Sequence, residues 1–528
     1  MTKKLLPAKN TPIEYKEWRT ENSLLNFISN HVDPNGRLTD SAHDLPDVEK
    51  DPEMLSFAPG LLDAMTGTHT SAKSKAVISK LVKLLKHIAE YGDQTSEYTF
   101  YKLITEQENI IGIVDDFQEA FIEKSLPVEP YLHSFAKDLI TKTAHRNSVK
   151  MGIAIVGLYK DQSIVPAIKI LALHDEFTLY ATIALLNILD TPAPALWELA
   201  QKVDGWGKIQ LVNRLINLEL TTEIQEWLVY EGYKNSIMYE YLAYTCATNG
   251  RLHEKLDAAQ IDKRLFKAAG EIIYALINGG PAEDISMYEE APNVIENYIR
   301  HAHEHTSDVL DFLQFDKLKS FLTGLTEDIG EHEKNGWTQD IVSNCLIDLL
   351  SVLNNREWEQ ITREALTSND ESTYWQAKSA ASILGIDIWD IVWQRLQQHP
   401  LNSEYWYDVA IHAPKEKVTG VIDFALTHLP LQEYTTGPKD RSDFGENFSK
   451  YQCLNNILVF LKDYPQKGEP IVLAALDSPV TENRNMAIDV LTNWTQQQWS
   501  PQIQEKVKKL AEIEPNKDTR KDIKALLK

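Results

Sequence analysis

The stretch 164–216, IVPAIKILALHDEFTLYATIALLNILDTPAPALWELAQKVDGWGKIQLVNRLI, decides the fold. Apolar residues recur at helical spacing in four short runs: Ile164, Ile168 and Leu171; Leu179, Ile183 and Leu186; Leu196, Leu199 and Val203; Ile209, Val212 and Ile216. HDEF at 174–177 joins the first two runs, and Thr191 with Pro192 reads as the N-cap and first residue of the third. Placing Asp175 and Phe177 over Asp204 and Trp206 gives an offset of 29 residues, within the range of stacked helical hairpins. A hairpin this short cannot cover its own apolar stripe, so each must stack on its neighbours. A third pair runs through Trp227 and Tyr241, and the pattern extends from Ser148 to about Asn249. The expected class is all-α, an α-solenoid of stacked antiparallel helix pairs forming a HEAT/ARM-like superhelix. A parallel α/β sheet is disfavoured, because no β-branched, turn-bounded strands alternate with the helices.

Working outward, residues 1–71 read as a loosely helical N-terminal segment with turn signals at DPNG (33–36) and the acidic, proline-broken run 40–53. Residues 72–278 form an N-terminal helical-repeat array, 293–426 a second, aromatic-rich region, and 448–528 a C-terminal cap. Breaks fall at 279–292 and 427–447. The cap's last clear unit opens at Ser478 with Pro479 in its first turn and continues through Ala487 and Leu491. From Ala72 to Tyr91, Val77, Leu81, Leu84 and Ile88 oppose Lys73, Lys80, Lys83 and Lys86. Such a helix suits either an anionic surface or the solvated outer face of an array.

In 528 residues, 43% are hydrophobic, the composition of a folded chain. Acidic residues outnumber basic ones 77 to 53, and the net charge of −24 argues against nucleic acid as a general partner. Cys246, Cys345 and Cys453 are isolated in apolar helical patterns, so neither a disulfide framework nor a CxxC pair is present. The start lacks an apolar leader core and no apolar run reaches membrane length. The expectation is a cytoplasmic chain with no transmembrane segment.

The sharpest oddity is RHAHEHTSD at 300–308. On a continuous helix His301, His305 and Asp308 share a face, a candidate site for zinc or iron. If Thr306 and Ser307 instead cap a new helix, the histidines lie in the last turn of the preceding one, where imidazolium suits the dipole. Aromatics concentrate from Trp358 to Tyr407, and Trp375, Trp389, Trp393 and Trp406 are candidates for an apolar groove or for packing between stacked helices. HExxH, phosphate-loop, GxSxG and strand-linked GxGxxG patterns are absent. DGWGKI, around Lys208, reads as a helix-to-helix turn, and the acidic EDIGEHE (327–333) as solvated surface.

ENRNMAIDVL (482–491) resembles a HEAT-type repeat, with Arg484, Ala487 and Leu491 in the usual places and Asn483 where valine is common. KMGIAIVGLY (150–159), the run 168–200 and DGWGKIQLVNRL (204–215) resemble a bacterial family labelled limonene hydroxylase. That resemblance implies NAD(P)H- and oxygen-dependent hydroxylation of a small apolar substrate, limonene, to carveol or perillyl alcohol. The matching segments are repeat core, so no catalytic or cofactor-binding residue is carried over. Hydroxylating an unactivated C–H bond needs a haem, flavin or redox metal. Around Cys453 the places of a cytochrome P450 loop hold Glu446, Ser449 and Asn455, and no histidine has glutamate three positions before it. His31 with Asp33, and His174 with Glu176, supply only the short His-x-acid part of a non-haem iron triad. The alternative expectation is a non-catalytic scaffold that binds a protein or peptide on its concave face.

Overall fold

The structure, a computed structural model, describes residues 16–48, 59–61, 72–107, 110, 111, 113, 114, 130–441 and 448–528. Among these the chain is all-helical, with 71% helix and no strands. Backbone contacts divide it into two compact units. The first comprises Met1–Glu49, Ser56–Ser307 and Gln314–Asn354; the second comprises Lys50–Leu55, Asp308–Leu313 and Asn355–Lys528.

The deciding stretch belongs to the first unit. It forms α1 (Arg146–Val156), α2 (Val165–Leu171), α3 (Asp175–Ile188), α4 (Ala193–Ala200) and α5 (Gly205–Leu215). Local chemistry sets these bounds. Proline occupies the first turns of α2 and α4, where its missing N–H costs nothing. The His145 and His174 rings accept the N–H groups of Asn147 and Glu176, each at 3.2 Å. The N-caps His145, His174 and Asp204 are 29 and 30 residues apart, close to the offset read from sequence. Helix α4 starts at Ala193 with Pro192 as its cap, one residue later than the Thr191–Pro192 reading. DGWGKI is the first turn of α5 rather than a turn between helices.

Helix α3 packs on α1 and on α5, α2 packs on α3, and α4 packs on α5. Ile168, Leu171, Leu196, Leu199 and Val212 are almost wholly buried, each contributing about 1.5–3 kcal/mol of burial. In α3 the deeply buried side is Phe177, Tyr180, Ala181, Ala184, Leu185 and Ile188. Leu179, Ile183 and Leu186 are only half-buried. A helix apolar all round is covered on more than one side, so periodicity picks out one of several faces.

Helix Ala72–Tyr91 buries Ile78, Leu81, Val82, Leu85 and Ile88, while Val77 and Leu84 sit at the edge of that face and Lys80, Lys83 and Lys86 are exposed. The side chain of Lys73 lies outside the described residues, as do 1–15, 49–58 and 62–71 of the expected N-terminal segment. What is described there is a helix Leu24–Ser29, a 3-10 turn Asp40–Ala42 and an antiparallel bridge between Val32 and Leu38. The 279–292 break carries a 3-10 turn at Ile285–Met287; the 427–447 break carries a short helix Leu431–Tyr434, with 442–447 outside the described residues.

In the second unit, helices Ser403–His412, Phe448–Leu461, Thr481–Asn493 and Lys517–Leu526 pack one on the next in chain order. Their junction is an ion pair with no solvent exposure on either side chain, Arg484 with Glu514. Arg484 donates from Nε to Oε2 (2.7 Å) and from Nη2 to Oε1 (2.6 Å), and from Nη1 to the Ser478 carbonyl at 2.9 Å. Asn483, in the place where the repeat pattern favours valine, donates to the Tyr451 carbonyl at 2.9 Å and to Asn455 Oδ1 at 2.6 Å. Ser478 does not cap the helix. Its carbonyl is taken by Arg484, its hydroxyl donates to Asn483 at 2.8 Å, and the helix begins at Thr481 after Val480.

Removing one partner of such a pair strands a buried charge, whereas replacing both with well-packed apolar groups does not. Glu514→Gln and Arg484→Met are each expected to lower stability by about 3–5 kcal/mol in urea unfolding. Arg484→Met/Glu514→Leu is expected to recover part of that loss, the remainder being the Ser478 carbonyl left without its donor; an additive double mutant refutes the pairing as the source.

Candidate functional site

Two features of α1, α3 and α5 stand out, at opposite ends of the same helices. At the N-terminal ends lies a buried polar edge. Lys150 is 4% exposed and donates to Glu176 Oε1 at 2.6 Å, while the Gly60 N–H reaches Glu176 Oε2 at 3.1 Å. Burial works against the ionised form of Glu176, but Lys150, the Gly60 N–H and Arg146 outweigh it and hold the carboxyl below its usual range. Asp47 Oδ2 accepts from Arg146 N (2.9 Å) and Nε (3.1 Å), and the His43 carbonyl lies 3.1 Å from His174 Nε2. Residues of the N-terminal segment thus lie across the starts of α1 and α3.

Asp175 is the centre of this edge. Its carboxylate accepts the N–H groups of Gly207 and Trp206 at the start of α5, so a side chain from one helix caps the next. A Cβ at Gly205 or at Gly207 would fall 2.6 Å from an Asp175 oxygen, which is why DGWG carries two glycines. Burial pushes the Asp175 carboxyl up to about 7, opposed by the Gly207 and Trp206 N–H groups and reinforced by Asp204 and Glu176. Next to it, burial depresses His174 to about 4. Lys208 of DGWGKI is committed as well: its Nζ donates to the Glu231 carbonyl at 2.8 Å and lies 5.5 Å from the centre of the Trp227 ring.

Toward the C-terminal ends, α1, α3 and α5 line, together with Ile111 and Val114, a half-open recess of about 280 Å³. Ile153, Leu179 and Ile183 give it apolar walls, and Asn187, Gln210 and Arg214 give it a polar end. The half-buried Leu179 and Ile183 are therefore the lining of a recess rather than the seam between helices. Arg214 donates from Nη1 to the Gln210 carbonyl at 3.1 Å and to Gln210 Oε1 at 2.5 Å, and burial lowers its pKa.

Of the sequence candidates, the histidines separate. The helix Ala291–His305 stops before Asp308, and Thr306 is extended. His301 is buried with Nε2 3.1 Å from the Leu256 carbonyl, His303 Nε2 faces Ser351 Oγ at 3.2 Å, and the His305 ring lies 5.6 Å from that of Phe266. Among the described residues, no three His, Cys, Asp or Glu side chains converge on a metal position. Trp389 and Trp393 stack at 5.5 Å, and Phe424 joins Trp393 (5.2 Å) to Trp406 (6.0 Å). Trp406 is fully buried and donates to the Pro400 carbonyl at 2.8 Å. Trp375 belongs to a different set: the Lys378 ammonium, paired with Asp408, sits 3.7 Å from its ring centre. These rings are packed between helices.

Burial pushes the Cys345 and Cys453 thiols up to about 12 and raises Cys246 too, so all three are protonated thiols at neutral pH. Comparison with protein-family models, curated proteins and solved structures finds no match for this chain. No described helix is long and apolar enough to cross a membrane.

Asp175 and His174 give the fold a pH signature. Raised in the folded state, Asp175 contributes stability that is complete below its ordinary value of 3.8 and lost as pH rises through about 7. His174, depressed, contributes stability present above 6.5 and lost as pH falls through about 4. Their slopes oppose each other across the overlap. In Asp175→Asn only the His174 slope remains, so calorimetry is expected to show the melting temperature climbing with pH across that window more steeply than in wild type. Parallel profiles would refute the titration of Asp175.

Proposed function

We propose that the chain is a helical-repeat scaffold, a HEAT-like α-solenoid of stacked antiparallel helix pairs, that binds a protein or peptide on its concave face. One observation supports this above the others: α1, α3 and α5, the second helices of successive pairs, pack side by side and share one apolar recess. A surface made from the same helix of each repeat is how such arrays present a groove, and a half-open apolar pocket in it suits an anchoring side chain. Buried Arg484, in the segment that resembles a HEAT repeat, and its partner Glu514 agree with the same architecture.

Affinity capture on the full-length chain, against Ile183→Glu in the recess wall, tests the reading. A stable partner identified by mass spectrometry, which rebinds when purified and is lost with Ile183→Glu at unchanged helicity, is the expected result. No partner above background, or one indifferent to Ile183, sinks it.

A second reading, limonene hydroxylation with NAD(P)H and oxygen, rests on the family resemblance and on the apolar walls of the recess. Its test is the absorption spectrum and metal content of the purified protein, followed by product analysis with limonene, NADPH and oxygen. Carveol or perillyl alcohol supports it; no product with added cofactors counts against it.

A further inference from the structure

We propose that the recess between α1, α3 and α5 is a binding site for a small carboxylic acid with an apolar body, its carboxylate held by Arg214. The wall chemistry selects the body. Ile153, Leu179 and Ile183 offer hydrocarbon, and a dry cavity of about 150 Å³ takes a benzene molecule, so about 280 Å³ takes roughly eleven non-hydrogen atoms.

Charge selects the head. Among the described residues that line it there is no Asp or Glu, in a chain where acidic side chains outnumber basic ones 77 to 53. Arg214 stands in the last turn of α5. Its acceptors among the described residues are the carbonyl and side-chain oxygens of Gln210, neither of them ionised. A guanidinium set against hydrocarbon has lost water, and among the described residues no counter-ion stands beside it. A carboxylate in the recess supplies the counter-ion and meets the fork of N–H groups in the two-point geometry that favours Arg over Lys. A neutral ligand of the same shape leaves that charge uncompensated, and a cationic one adds repulsion. Asn187 and Gln210 beside it offer amide donors to the same head group.

The site is independent of the scaffold reading, because a small acid can occupy the recess with no macromolecular partner present. Isothermal titration of the full-length protein with octanoate and with octanamide, which match in size, tests it. Octanoate is expected to bind at least about tenfold more tightly, a preference that a charge-assisted hydrogen bond supplies, and Arg214→Met is expected to erase it. Ile183→Trp, which fills the half-open mouth and leaves Arg214 in place, is expected to abolish binding of both at an unchanged melting temperature. No octanoate binding at millimolar concentration, equal affinity for the two ligands, or a preference that survives Arg214→Met overturns the proposal.

Discussion

Stacking short helices brings their N-termini together, and each N-terminus leaves backbone N–H groups that its own helix cannot satisfy. Once neighbouring pairs cover one another, those groups lose water and need acceptors from elsewhere in the chain. Asp175 is such an acceptor: it begins α3 and receives the N–H groups at the start of α5. The glycines at 205 and 207 follow from that, since a Cβ at either position would occupy the space of the carboxylate. So does the unusual titration of Asp175, because a carboxyl that caps a buried helix end is itself removed from water.

The second unit meets a related demand with different residues. There the buried group is the carbonyl of Ser478, which requires a donor, and Arg484 reaches it and the Lys439 carbonyl while Glu514 neutralises the charge. Arginine suits the role because its donors radiate in a plane and can serve two carbonyls and a carboxylate at once. Asn483 continues the network to Tyr451 and Asn455. Valine at that position would pack but could not satisfy the Tyr451 carbonyl, which gives this departure from the repeat pattern a physical basis.

The helices were legible from the period of Ile164, Ile168 and Leu171 and from Leu196, Leu199 and Val203, because each run has a single apolar stripe and that stripe is buried. Helix α3 was harder to orient. Its apolar residues surround it, so the Leu179, Ile183 and Leu186 stripe satisfied the same periodicity as the buried one, and Leu179 and Ile183 turned out to border the recess. Asp175 was visible only as one member of an alignment. Its partners lie 31 and 32 residues away at Trp206 and Gly207, and no local pattern reports a cap donated by another helix. The paired glycines of DGWG were the one available signal. The histidine tract divided where Thr306 and Ser307 interrupt it, since Thr306 is extended and ends the helix before Asp308.

Along α3 the two chemistries are separated by a single turn. Asp175 and Glu176 are spent on neighbouring helices, while Leu179 and Ile183, one and two turns further on, touch the recess and remain half-buried. The packing of this helix against α1 and α5 rests on the polar edge and on Phe177, Ala181, Leu185 and Ile188, which face away from the opening. Leu179 and Ile183 therefore carry less of the burial energy than their hydrophobicity implies, in proportion to the surface they still expose, whereas Ile153, Tyr180 and Ala184 of the same lining are buried. Arg214 is freer still, since among the described residues its bonds go only to Gln210 on its own helix. At Leu179, Ile183 and Arg214 the residue can change with little loss of fold stability, so the lining of the recess can vary there without disturbing the core.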